Sequence, residues 1–276
     1  RSGAYETLRQ ADAYKAENIE DLKRFFDSYL KDIRNGWEFT PPVRLEVMDA
    51  YDFDFDACRA EREFPILRTE YRKIYLDAAS GGGGPEPYTG ESEISYDPGR
   101  DTASFDILMD EDTEIIGYMN LCLYVECRGH DNMDIFVWVK KHNSDGEYVP
   151  LTCMGMDFRG AWGYLRASRR ELDPELSEDF NPVQAHRRDE PMEPGKIYEV
   201  NIEIWPHSRI WHKGESLRLE ISGEFVKSEW AMDMAMGFAC DNGNGRHVIH
   251  TGGKHASYLQ IPCIPPKYKS GDYIVR

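Results

Sequence analysis

Apolar side chains at Ile19, Leu22, Phe25, Phe26, Tyr29 and Leu30 recur at intervals of three and four, which places them on one face of a helix over 17–30. Asn18 is the expected N-cap, with Asp21 adding a favourable charge in the first turn. Asn35-Gly36 ends the segment, and Thr40-Pro41-Pro42 prevents its continuation. Beyond that stop the period changes. Val43-Arg44-Leu45-Glu46-Val47 alternates apolar and polar, as a half-buried strand does, and 73–76 has the same character. Ser80-Gly81-Gly82-Gly83-Gly84-Pro85 is too rich in glycine to hold helix or sheet and is expected as a flexible loop. It lacks the G-K-[ST] ending of a phosphate loop.

From Ile94 onward the apolar runs are short, frequent and separated by turn residues: 104–108, 113–125, 133–139, 149–154, 197–204, 215–221 and 257–261. His142-Asn143-Ser144-Asp145-Gly146 between two of them is a hairpin signal, because Asp-Gly supplies the positive φ of a tight turn. Many short strands with few helical patterns predict a mainly β fold, a sandwich or barrel. Two stretches break the rhythm. The polar, proline-punctuated segment 159–193 is expected as a long functional or partner-contacting loop, and the Gly/Asn-rich 241–253 as a surface excursion.

Hydrophobic residues at 41% and aromatics at 12% suffice for a folded core, so disorder is excluded. With 50 acidic against 33 basic residues, the formal charge of −17 argues against nucleic acid and membrane as partners, because such a surface repels phosphates. No apolar run approaches the roughly 20 residues of a membrane span. The first residues, Arg1-Ser2-Gly3-Ala4-Tyr5-Glu6, lack a signal-peptide pattern and have no initiator Met, which fits the interior of a longer chain. The six cysteines show neither C-x-x-C nor zinc-finger spacing, and Cys122 falls in an apolar strand pattern where a buried free thiol is common. A reducing, cytoplasmic setting is favoured, and no cofactor is expected.

Candidate chemistry is sparse. No G-x-S-x-G occurs, and Ser168 has no glycine elbow. His207 and His212 are five apart, which fits neither helix face nor strand alternation, while His247, His250 and His255 form a slightly better cluster without evident supporting ligands. Asp52, Asp54 and Asp56 alternate with Phe53 and Phe55, but Ala57 stands where a calcium loop needs glycine, so an acidic solvent face is the expectation. Asp131 and Asp134 are expected to close a turn. Among the aromatics Trp162, Tyr164, Trp205, Trp211 and Trp230, Trp205 and Trp211 are expected to fill the core, and Trp162, in a glycine-bounded loop, to be the better ligand contact.

In order along the chain, Asn35-Gly36-Trp37, Thr40-Pro41-Pro42-Val43-Arg44-Leu45, Glu63-Phe64-Pro65, Arg68-Thr69-Glu70-Tyr71, Met133-Asp134-Ile135-Phe136-Val137, Glu203-Ile204-Trp205-Pro206, Gly214-Glu215-Ser216-Leu217-Arg218-Leu219 and His255-Ala256-Ser257-Tyr258 resemble the C-terminal region of the cocaine esterase-like (CocE/NonD) and X-Pro dipeptidyl-peptidase serine hydrolases, over about residues 17 to 265. The resemblance implies a jelly-roll (galactose-binding-like) β-sandwich over 94–276, a helical tail of a missing α/β-hydrolase domain over 1–40, connecting strands over 41–79 and a Gly-rich loop over 80–93. Trp37, Asp134, Trp205, Pro206, Gly214 and Arg218 are its structural motif residues. It implies ester or amide hydrolysis through an acyl-enzyme by a Ser-His-Asp triad that lies upstream of the helix, so no catalytic residue transfers to this chain. The implied partners are that catalytic domain and, in the intact protein, further copies in a homo-oligomer. In the acyl pocket, Trp162 and Tyr164 would supply part of the wall. The alternatives are a stand-alone carbohydrate-binding jelly roll and a purely structural subunit.

Overall fold

The computed structural model describes residues 16–49, 54–153, 156–158, 161–225 and 239–265. Helix α1 spans Ala16–Lys31. Asn18 lies within it and so does not cap it. The helix ends where Asp32 turns to φ 53, the Ile33 N–H reaches the Asp27 carbonyl at 3.0 Å and the Asn35 amide donates to the Arg24 carbonyl at 2.8 Å. One turn of 3₁₀ helix follows at Trp37–Phe39, with Gly36 at φ 79 ahead of it. No helix among the described residues is long and apolar enough to cross a membrane.

Among the described residues fifteen strands follow: β1 Val43–Met48, β2 Asp54–Glu61, β3 Glu70–Asp77, β4 Gly82–Gly84, β5 Ser92–Tyr96, β6 Thr102–Leu108, β7 Thr113–Arg128, β8 Asp134–His142, β9 Leu151–Cys153, β10 Met156–Phe158, β11 Ala161–Arg166, β12 Ile197–Trp211, β13 Ser216–Ser222, β14 Arg246–Thr251 and β15 Tyr258–Ile264. β9 and β10 form a small separate hairpin. The others make one sheet in the order β2-β1-β12-β11-β8-β13-β6-β4-β3-β15-β7-β14-β5, and a further β12–β7 pairing closes the middle of it into a ring. The result is a jelly-roll sandwich whose two walls share one core.

Alternation builds that core. Ala103, Phe105 and Ile107 on β6, Ile135, Val137 and Val139 on β8, Ile202 and Ile204 on β12, and Leu217, Leu219 and Ile221 on β13 all face inward and are buried. Each of these side chains larger than Ala103 contributes roughly 1.5–3 kcal/mol by leaving water. The intervening residues face out, among them Arg218 and Glu220 on β13.

Four departures from the sequence reading have physical causes. Gly82–Gly84 is a strand, not a flexible loop: it is antiparallel to β3 and parallel to β6. A Cβ on Gly83 would sit 3.0 Å from Ile74 Cγ2 and 3.1 Å from the Tyr75 carbonyl, so the strand fits there because it has no side chain. The segment expected as a loop from residue 159 opens with β11, and 241–253 contains β14. β12 runs seven residues past the expected stop at Ile204, through Pro206, which sits at a bulge between Ile204 and His207 opposite Gly117 at φ 135. β2 is a strand that the sequence reading did not place by its own bounds within the connecting strands of 41–79; it carries part of the Asp/Phe alternation over 52–56, and the side chains of 51–58 lie outside the described ones.

Candidate functional site

The outer face of β11 and its neighbours carries the aromatic residues. β11 pairs with β8 so that Trp162 faces Trp138 and Tyr164 faces Phe136, and it meets β12 at Gly163 and Ile204. Ala161, Gly163 and Leu165 point to the core, leaving Trp162, Tyr164 and Arg166 outward. On β12, Glu203 and Trp205 share that outer face, while Ile202 and Ile204 are buried. Gly163 is what lets the two strands touch: a Cβ there would lie 2.2 Å from the Glu203 carbonyl oxygen.

The rings form a ladder. Trp162 stacks on Trp138 with centroids 5.8 Å apart and meets Trp205 at 4.8 Å, and the Phe225 ring lies edge-on to Trp162 at 5.8 Å. Trp205 is 54% exposed, which corrects the expectation that it fills the core; Trp211, expected there too, is fully buried. Trp162 belongs to a strand and not to a glycine-bounded loop, and Trp230 lies outside the described residues. The ladder floors a cleft of about 620 Å³ lined by Trp162, Tyr164, Arg166, Glu203, Trp205 and, from the long connection after β11, Gln184 and His186.

Beside the cleft lies a polar hub. Asp134, fully buried, accepts from the Tyr164 hydroxyl at 2.6 Å, from Arg166 Nε and Nη2 at 2.9 and 3.0 Å, and from the Asp241 backbone N–H. It does more than close a turn. Burial, with the Asp134 carboxylate beside it, drives the Tyr164 phenol well above its usual range. Asn132 donates to Ser168 Oγ at 3.1 Å and Asp241 Oδ2 at 2.9 Å, and the Ser168 N–H returns a bond to Asn132 Oδ1. Ser168 is therefore a buried strut. Glu203 differs from its neighbours: burial alone raises its carboxyl above the ordinary value, and no hydrogen bond or ion pair reaches it from the described residues.

The other motif residues do not gather here. Trp37 packs on Phe25 at 5.5 Å, with Arg24 and Arg44 each 5.8 Å from its ring. Pro206 occupies the bulge, Gly214 turns at φ 90 between β12 and β13, and Arg218 makes a bidentate pair with Asp106 at 2.7 and 2.8 Å. Among the histidines, His250 and His255 come together with ring centroids 5.5 Å apart, and the rest separate. Loss of solvent around its ring pushes His207 down to about 3, whereas His212 Nε2 lies 3.0 Å from Asp49. His247 packs on Tyr96, and His250 bonds Glu126 at 2.9 Å. Glu93, Glu126 and His250 are close enough to share a cation, and Arg128 already binds both carboxylates at 2.7–3.0 Å, offsetting half of their charge. Cys122, Cys127 and Cys263 are buried free thiols.

Sequence reasoning missed Glu203, Gln184 and His186. The available signal was the two-residue spacing of Glu203 and Trp205, which puts a carboxylate and an indole on one strand face.

No curated protein matches the chain. Two crystal structures of a CocE/NonD family hydrolase from Staphylococcus aureus superpose with TM-score 0.84 at 32% identity, over 92% of this chain and 47% of that one. An aminopeptidase from the marine sediment archaeon Thaumarchaeota archaeon matches at TM-score 0.64 and 14% identity, over 93% and 45% of the two chains. An α-amino acid ester hydrolase matches at 0.61 and 15%, over 88% and 44%. These last two share the fold. The chain thus spans about half the length of these solved relatives. The family model of the X-Pro dipeptidyl-peptidase C-terminal non-catalytic domain matches residues 35–260, and the chain belongs to that family.

Proposed function

We propose that this domain works as the non-catalytic partner of an α/β-hydrolase domain in a CocE/NonD or X-Pro dipeptidyl-peptidase-like serine hydrolase. The observation that carries the reading is the apolar face of α1, where Leu22, Tyr29 and Leu30 are 57%, 67% and 75% exposed. A contiguous apolar helix face of this kind marks a contact surface. In this reading 1–40 packs with the catalytic domain, 41–79 connects the two while adding strands, and 80–93 with 94–276 completes the sandwich. The catalytic domain supplies the serine, histidine and aspartate that form and hydrolyse an acyl-enzyme. The jelly roll walls the acyl pocket with Trp162 and Tyr164 and contributes to contacts between copies.

The test is a fluorophosphonate probe and turnover of a short-chain nitrophenyl ester, applied to the 276-residue chain alone and to an intact hydrolase that carries it. Labelling and turnover only in the intact protein support the proposal. A mapped serine adduct within these residues would refute it.

A further inference from the structure

We propose that the cleft between β11 and β12 binds an organic cation, an ammonium or guanidinium group held by the Glu203 carboxylate against the indoles of Trp205 and Trp162. Most of the charges and donors on the lining are already engaged. Arg166 is committed to Asp134 at 2.9 and 3.0 Å, and its Nη2 also reaches the Ala239 carbonyl at 2.7 Å. Arg169 pairs with Asp189, with Nη2 to Oδ2 at 2.8 Å. The Tyr164 hydroxyl is spent on Asp134, and Gln184 Nε2 donates to the Asn201 carbonyl at 3.0 Å. The acid left over is Glu203, whose carboxylate faces the cleft with no partner among the described residues.

A half-buried carboxylate without a partner costs free energy that a bound cation recovers. Burial raises the proton affinity of Glu203 for the same reason: its anion is poorly solvated where it stands. The aromatic floor selects the kind of cation. Indole faces are negative and attract a soft, weakly hydrated cation such as a substituted ammonium or a guanidinium over a small hydrated ion. Trp205 is 54% exposed and offers such a face on the same strand side as Glu203. A volume of about 620 Å³ is suited to an organic molecule and is far larger than a lone metal ion needs. His186 is the remaining ionisable group on the lining.

The inference deepens the wall reading of this cleft, and rests on it only for the source of the cation in an intact hydrolase. Binding is read on the chain itself and acyl preference on an intact enzyme, so either can fail without the other.

The experiment is a tryptophan-fluorescence and calorimetric titration of the 276-residue chain with choline, its neutral isostere 3,3-dimethylbutan-1-ol, the anion 3,3-dimethylbutanoate and methyl glucoside. Choline is expected to bind about tenfold or more tighter than the neutral isostere. Glu203→Gln is expected to abolish that preference, and Trp205→Ala to weaken choline by about tenfold. Should Trp205→Ala fail to fold, Glu203→Gln, which changes charge and not shape, decides alone. No choline binding, equal binding of the three isosteres, a preference unchanged in Glu203→Gln, or binding of the glucoside instead would each overturn the proposal.

Discussion

Arg166 presents Nε and Nη2 to the two oxygens of Asp134 at 2.9 and 3.0 Å, and that carboxylate is fully buried on β8 while the guanidinium borders the cleft on β11. The pair ties together β8, β11 and the backbone at Asp241, which donates to the same carboxylate. Asp134→Ala would leave the Tyr164 hydroxyl, the Arg166 guanidinium and the Asp241 N–H without their acceptor. Breaking one partner of a buried pair costs about 3–5 kcal/mol. Urea denaturation should show a loss of that order, and a midpoint unchanged from wild type would refute the assignment of Asp134 as the hub.

Gly163 makes a sharper prediction because the atom it would strike is backbone. A methyl group there meets the Glu203 carbonyl oxygen at 2.2 Å and its carbon at 3.1 Å, and neither can swing aside. Gly163→Ala should therefore cost about 1–3 kcal/mol and spread β11 from β12. The cleft sits on that seam, so choline binding should weaken in the same variant even where it remains folded.

Local offsets of this kind separate the legible elements from the hidden ones. Strands with strict alternation, as at Leu217, Leu219 and Ile221, were legible because one inward face is enough to announce them. Trp205 and Trp211 are six residues apart, an even number that period two places on one face. The bulge between Ile204 and His207 inserts one extra residue against β7, so the two indoles fall on opposite faces, one open and one in the core. β4 and β11 were hidden because glycine at 82–84 and 163 looks like a loop signal, when Gly83 and Gly163 are held to glycine by close neighbouring atoms. Glu203 was invisible for another reason. Its importance comes from the arginines beside it being paired elsewhere, which only the folded arrangement establishes.

A pH dependence follows from the network at the end of β12. Lys141, 1% exposed, binds Asp49 at 2.6 Å and Glu215 at 2.7 Å, and His212 joins through Asp49, with Asp112 3.6 Å from its other nitrogen. Burial opposes the charged form of His212, but the Asp49 hydrogen bond and charge outweigh it and raise the imidazole above 6.5. Burial likewise works against the Asp49 anion, and Lys141 and His212 outweigh it, holding the carboxyl below 3.8. The histidine's contribution is complete below its ordinary value of 6.5 and is lost as pH rises through the raised value. The aspartate's is complete above 3.8 and is lost as pH falls through the depressed value. The pair therefore stabilises most between those two ordinary values. The melting-temperature difference between wild type and His212→Gln should be largest near pH 5–6 and shrink by pH 8; a difference independent of pH would refute the linkage.

The pocket wall can be examined without disturbing the hub, because Trp162 takes no part in the hydrogen bonds to Asp134. In an intact hydrolase carrying this domain, Trp162→Ala should shift the ratio of kcat/KM between short and bulky acyl esters by about tenfold, since one lost aromatic contact in a pocket is worth roughly 1–3 kcal/mol. An unaltered acyl profile would count against the wall while leaving the cation site open to its own test.

The helix makes the last prediction. Leu22, Phe26, Tyr29 and Leu30 stand on the exposed side of α1, and Phe39 and Leu67 are similarly exposed elsewhere on the chain. Among the described residues these side chains gain little from the fold, since about half or more of each remains in water. Leu22→Ser together with Phe26→Ser should thus leave the melting temperature of the isolated chain within a few degrees, because surface substitutions are usually worth no more than about 0.5 kcal/mol each. The same double variant should lower hydrophobic-dye binding and self-association of the isolated chain, both of which wild type is expected to show. In an intact hydrolase it should instead destabilise, since the face is then buried against the catalytic domain and each lost apolar side chain costs about 2–5 kcal/mol. Sensitivity of the intact protein with indifference of the isolated chain identifies α1 as the joint between the two domains; indifference in both would assign the joint to another surface.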